Sequence, residues 1–248
     1  MTLLSMAVRS GSALTLLCTA LFACDVQSNG SNATQWTPSR APVVRGVPVE
    51  SIRASIDSFL RGQPPASIDA DTWRHVRGLY RGNDGAPYWM TSRGLDQKRA
   101  AQLANVVVTA VDEALNPAEL PLAAAIEALE VVRRRGTPTS DGLARSDVLL
   151  TAVYAGIAEQ LLVGHVDPRS VSQSWYIDPR EERVDSAMAR LLRAPRLDQA
   201  LNGLRPQNAA YDALRIELQR YRRLVAAGGW TRLENKGSLS LGDSAPAA

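Results

Sequence analysis

The sequence predicts an all-α fold, an irregular multi-helix bundle, on three observations. From residue 49 onward, apolar residues recur at spacings of three and four. The recurring segments stop at clusters of Gly, Pro and Asn, and no run of alternating apolar and polar residues is long enough to argue for a sheet. Nor does any internal repeat break the chain into units.

The helices can be taken in order. Ile52, Ile56, Phe59 and Leu60 share one face and end at Gly62, followed by Pro64-Pro65. A second helix begins near Asp71 and carries Trp73, Val76, Leu79 and Tyr80. Gly82-Asn83-Asp84-Gly85 then forces a turn, because such residues tolerate positive φ. Asp96 is placed to cap a longer helix through Leu115, with Leu103, Val107, Ala110 and Ala114 on one stripe and Asn116-Pro117 as its terminator. Further helices fit Pro121 to Arg135, Ser146 to Val163 and Asp178 to Arg193. In the last of these, Asp178, Pro179 and Glu181 occupy the positions of an N-cap, a first-turn proline and a capping-box glutamate. The strongest pattern is Tyr211, Leu214, Leu218, Tyr221 and Val225, spaced three, four, three, four and closed by Gly228-Gly229.

Ahead of the helices lies a different composition. Leu14 to Ala23 is a short apolar run behind Arg9, ending Leu21-Phe22-Ala23-Cys24. About ten residues are too few to span a bilayer as a helix, which takes about 20. The run resembles a bacterial lipoprotein signal, with Cys24 as the lipidated residue; an ordinary cleaved signal and an uncleaved anchor are the alternatives. Asp25 resembles the sorting residue that retains some lipoproteins at the inner membrane. Residues 24–47 are rich in Asp, Gln, Ser, Asn, Thr and Pro and lack the apolar surface that offsets ordering entropy, so they read as a flexible tether. The expected organisation is a signal over 1–23, the tether over 24–47, a helical domain over 48–236 and a disordered tail over 237–248. Asn29 and Asn32 open Asn-x-Ser/Thr triplets that matter only in a eukaryotic secretory route.

Charge and motif content exclude several functions. The chain carries 28 basic and 25 acidic residues; without residues 1–23, which hold Arg9 alone, the balance is 27 against 25, or +2. Basic and acidic side chains are interleaved, so no stretch makes the phosphate track that nucleic-acid binding needs, and nucleic acid is not an expected partner. Two histidines, and two cysteines both near the start, give no metal-ligand spacing. There is no Gly-x-Ser-x-Gly elbow, phosphate loop or dinucleotide fingerprint, so no cofactor is expected.

A family resemblance rests on longer stretches. Leu150-Thr151-Ala152, Tyr154, Leu161 to Gly164 and Val166-Asp167-Pro168, then Trp175, Leu201 to Pro206, Tyr211, Leu214-Arg215, Leu218, Tyr221-Arg222 and Gly228-Gly229-Trp230, follow one another in a characteristic order. Upstream stand Leu79-Tyr80 and Pro87-Tyr88-Trp89. Together, over roughly residues 50–242, they resemble the scaffold domain of large bacterial L,D-transpeptidases, and Gly237 to Asp243 resembles that family's connection into its peptidoglycan-binding helix. The resemblance implies the cell envelope, on the periplasmic side of a bacterial membrane. It does not carry catalysis over. These enzymes act through a cysteine in a Ser-His-Gly-Cys motif; no cysteine follows Cys24, and neither His75 nor His165 has a nucleophile beside it in sequence.

The expected function is therefore a non-catalytic, lipid-anchored scaffold or interaction module, with a cell-wall enzyme or peptidoglycan as partner. The alternative is a truncated or split L,D-transpeptidase whose catalytic domain lies on another chain or is lost. Candidate surfaces are few. Trp73, Tyr80, Tyr88 and Trp89 carry rings that stack on sugars, although helical spacing favours a place in the core. Arg133-Arg134-Arg135 offers charge to anionic lipid or to the carboxylates of peptidoglycan stems, and equally suits a solvated helix end. His75 and His165 read as packing and helix-terminal residues.

Overall fold

The computed structural model describes residues 36–134, 136–164 and 183–230, together with Ser170 and Ser174. Among these residues the all-α expectation holds. Eight α-helices account for most of the described residues, with two hairpins of two-residue strands.

The first hairpin pairs β1 (Val43–Val44) with β2 (Val47–Pro48). Arg45 and Gly46 between them have φ of 47° and 85°, the double positive φ of the tight turn that matches strand twist. Helix α1 (Val49–Arg61) follows directly, burying Ile52 and Ile56 as their spacing predicts. Helix α2 (Ala70–Arg81) is capped by Asp69, whose carboxylate accepts from Thr72 N–H. A second hairpin, β3 (Met90–Thr91) with β4 (Gly94–Leu95), leads into α3 (Gln97–Ala110). Asp96 caps that helix through Arg99 N–H, as expected. Its end differs from expectation: the α-helix stops at Ala110, tightens into a 3-10 turn over Val111–Glu113 and closes on Ala114 at φ 59°.

Helix α4 (Leu122–Arg133) and helix α5 (Ser140–Val163) complete the centre. The latter starts six residues before Ser146. Thr139 caps it by accepting from Gly142 N–H, a start hidden in sequence by the Ser-Asp-Gly run that reads as a loop. It is the one helix among the described residues long and apolar enough to cross a membrane, yet most of its apolar stretch is buried inside the protein. Length and hydropathy here mark the central rod of a bundle.

Around this rod pack α1, α2, α3, α4 and α6 (Val184–Leu192). Small residues permit the approach of α4: Ala125, Ala128 and Ala144 are buried, and the Ser146 hydroxyl donates to Ala128 O at 3.0 Å. Two turns further along the rod the Tyr154 hydroxyl donates to Met188 O at 2.5 Å, fixing α6. A short helix absent from the sequence reading, α7 (Leu197–Asn202), inserts Leu197 and Leu201 against α3. Asp178, Pro179 and Glu181 lie outside the described residues, as do His165 and Trp175.

The chain divides into two compact units between Pro206 and Gln207. The second contains α8 (Ala209–Ala226), capped by Asn208 through Tyr211 N–H and ended at Gly228 and Gly229, φ 106° and 76°. The helix forms where its periodicity predicts. None of its residues is fully buried, and Tyr211 and Leu218 of its stripe are half-buried.

Candidate functional site

The aromatic quartet offered as a sugar-stacking surface is corrected by burial. Trp73, Tyr80, Tyr88 and Trp89 are 3%, 1%, 3% and 0% exposed, so none presents a ring face to a ligand. Each has an internal role. Trp73 meets the Phe59 ring edge-on at 5.9 Å and carries the Arg77 guanidinium 5.7 Å from its centroid. Tyr80 and Tyr88 pack at 5.4 Å, and the Tyr88 hydroxyl donates to Leu79 O.

Tyr80 and Trp89 converge on two polar residues of the apolar rod. Asp147 Oδ1 accepts from the Tyr80 hydroxyl at 2.5 Å and from Tyr88 N–H at 2.8 Å, and Oδ2 accepts from Trp89 N–H at 2.8 Å. Thr151, one turn on, accepts from Trp89 Nε1–H at 2.9 Å and lies 2.9 Å from the Tyr80 hydroxyl. Asp147 is wholly buried, and burial pushes its carboxyl up to about 6, although the three hydrogen bonds favour its charged form. These bonds run from the 82–89 turn and its neighbour Tyr80 to one helix, so the arrangement fastens the turn to the rod. Sequence reasoning missed Asp147; the available signal was two polar residues, four apart, in the largely apolar stretch Asp147–Ala158.

A second polar cluster joins three helices. His75 on α2 is buried, with Nδ1 2.5 Å from Asp185 Oδ1 on α6 and Nε2 3.7 Å from Glu159 Oε1 on α5. Its pKa is raised by hydrogen bonding to Glu159, against the effect of burial, and further by Asp185. Imidazole between two carboxylates is a proton-dependent clasp. Among the described residues no group of side chains is arranged to hold a metal ion.

Arginines, rather than aromatics, form the polar exterior. Arg133 and Arg134 end α4 in exposed positions, while Arg135 lies outside the described residues. Arg45 reaches across from the first hairpin and donates to the carbonyls of Val132, Arg134 and Gly136, the latter two at 3.3 and 2.6 Å. These are terminal carbonyls that no helix donor satisfies. Since Arg45 N–H also donates to Ser92 O, the β3–β4 turn bearing Arg93 adjoins this end of α4. On another side, Arg40, Arg53 and Arg193 line an open groove of about 640 Å3 together with Glu50 and Asp84. Cys24 and Asp25 lie outside the described residues.

The polar clusters hold helices together, and the exposed charge is spread over helix ends and turns. No curated protein and no solved structure matches the chain at a significant level. A family model described as Scaffold domain matches residues 74–218. That span runs from α2 through the central rod to the middle of α8 and covers more than half of the sequence, so the chain belongs to the Scaffold domain family.

Proposed function

We propose that this protein is a non-catalytic scaffold of the bacterial cell envelope, anchored through lipid on Cys24 and docked to the peptidoglycan cross-linking machinery. The carrying observation is the Scaffold domain match over residues 74–218. Cys24, preceded by a short apolar run, supports the anchor, with Asp25 as a sorting residue. Arg133, Arg134 and Arg135 supply the charge for an acidic partner or for stem carboxylates. The lack of a cysteine after Cys24 supports a role without thiol acyl transfer.

The test is twofold on one preparation of envelopes. Wild-type protein is expected in the membrane fraction, co-purifying with a cell-wall enzyme or with peptidoglycan, and unlabelled by a carbapenem. Carbapenem acylation of this chain, or its recovery from the cytosol, would overturn the reading. A second reading rests on Gly237 to Asp243, which resembles the connection into a peptidoglycan-binding helix: a catalytic half on a separate polypeptide. Co-purification with a protein carrying Ser-His-Gly-Cys would favour it.

A further inference from the structure

Two grooves follow one another along α1. The groove bearing Arg40 and Arg193 opens beside Val49, Glu50 and Arg53. A second, of about 470 Å3, opens beside Ile56, Asp57, Leu60 and Arg61, with Arg77 and Arg81 of α2 on its other wall. Steps of three and four carry the residues of one into those of the other, so both lie on the same face of the helix. The 82–86 turn lines both, through Asn83, Asp84 and Ala86 in the first and Gly85 in the second. The result is one trough, walled by described residues of a single compact unit. Since α1 has 13 residues, the trough runs about 20 Å, the reach of about six residues of extended chain.

Charge in the trough is unequal and partly spent. Six arginines line it with three acids. Glu50 is held by Arg53 at 3.4 Å and Asp57 by Arg61 at 2.7 Å, while Arg77 donates to the carbonyls of Leu60 and Gly62. Arg40 and Arg81 are exposed and, among the described residues, have no ion pair or side-chain hydrogen bond. Arg193 makes one bond, of 3.4 Å, to Gly82 O. Open guanidinium groups therefore stand in both halves of the trough, and their planar forks suit carboxylates.

One wall also offers backbone. The segment 37–41 is fixed at both ends, where Trp36 N–H donates to Arg193 O at 2.8 Å and Pro42 O accepts from Val49 N–H at 2.9 Å. Between these anchors Thr37, Ser39 and Arg40 have no backbone partner among the described residues. Fixed, unpaired backbone beside a groove can receive an extended peptide as an added strand, whereas a phosphate polymer would use only the arginines. We propose that this trough binds an acidic peptide in extended form, its carboxylates on Arg40, Arg193 and Arg81 and its backbone along residues 37–41. The site holds whether or not the chain works in the cell envelope, because only these contacts carry it.

Fluorescence anisotropy of a dye-labelled Ala-Glu-Ala-Glu-Ala-Glu peptide, titrated with the full chain in non-ionic detergent, tests this; alternate residues of a strand share a face, so its carboxylates point one way. Saturable binding is expected, and a peptide with glutamine in place of glutamate should bind at least about tenfold more weakly. Arg40→Gln and Arg81→Gln should each weaken binding about three- to fivefold and together about tenfold or more, with the far-ultraviolet spectrum unchanged. Lys98→Gln, which removes the same charge from an exposed position on α3, should leave binding as it is. No saturation below about 1 mM, equal binding of the glutamine peptide, or equal losses in Lys98→Gln and the arginine variants would overturn the proposal. Sodium polyphosphate that binds more tightly than the peptide, and loses affinity in the same two arginine variants, would assign the trough to phosphate polymers and overturn it too.

Discussion

The Tyr80 hydroxyl lies 2.5 Å from Asp147 Oδ1, tying the second helix to the central rod within the buried core. Asp147 also accepts from two consecutive backbone N–H groups, those of Tyr88 and Trp89, which have no strand or helix to bond them. Removing the carboxylate in Asp147→Ala leaves both donors buried, while Tyr80 keeps Thr151. At about 1–3 kcal/mol for each of the two orphaned donors, the loss should be about 2–6 kcal/mol. Urea unfolding followed by circular dichroism measures it, and a change under about 1 kcal/mol would mean that water replaces the carboxylate.

The same residue sets an acid-side pH dependence. Burial raises Asp147 from 3.8 to about 6, so between these values the folded chain holds a proton that the unfolded chain releases. Stability contributed by this group therefore falls as pH rises from about 4 to about 6. Asp147→Asn cannot titrate, and its melting temperature should lack this component when compared with wild type across the same window.

These two residues also mark the limit of what the sequence makes legible. Period and breakers locate α1, α2, α3 and α8, because an apolar stripe and its terminator are local properties. The polar partners are not local: Tyr80 and Asp147 are 67 positions apart. Their pairing depends on how α2 crosses α5, which no spacing encodes. The aromatic quartet illustrates the same gap, since residue type alone fits both a sugar platform and a core. In α8 the converse occurs: a regular stripe is legible, but whether anything covers it is a tertiary fact.

His75 governs the neutral range. Hydrogen bonding to Glu159 and to Asp185, opposed by burial, raises its pKa above 6.5, so the charged form is favoured in the folded state. The stability it contributes is fully present below pH 6.5 and is lost as pH rises through the elevated folded value. His75→Gln should remove that slope, so wild type should lose melting temperature as pH rises from 6.5 through the elevated folded value and the variant should not. Parallel curves for the two proteins would show that the α2–α5–α6 clasp does not titrate.

Arg45 fixes the end of α4 by geometry as well as charge. Its guanidinium reaches three carbonyls at once, including that of Val132, a task that suits a planar fork and not an ammonium group. Arg45→Ala should cost about 1–3 kcal/mol, and Arg45→Lys should recover less than half of it. Equal stability of the lysine and arginine forms in urea would reduce the role of Arg45 to simple charge at a helix C-terminus.

Arg99 makes the strongest case for a charge retained in the core. It is 2% exposed, donates to Leu192 O at the last residue of α6 and to Ala194 O just past it at 2.7 Å, and lies over the Trp36 ring at 4.2 Å from its centroid. Burial lowers its pKa to about 10, which leaves it charged throughout the physiological range. One side chain thus satisfies the exit of α6 and holds the segment that enters the domain at Trp36, whose own N–H donates to Arg193 O. In Arg99→Met the stem volume is kept but the donors are gone, so two carbonyls lose their partners and Trp36 loses its cation. The expected cost is about 2–4 kcal/mol in urea. Trypsin should then cut near Arg40 faster than in wild type, because the Trp36 contact no longer anchors that segment. Unchanged cleavage together with lost stability would confine the role of Arg99 to capping α6.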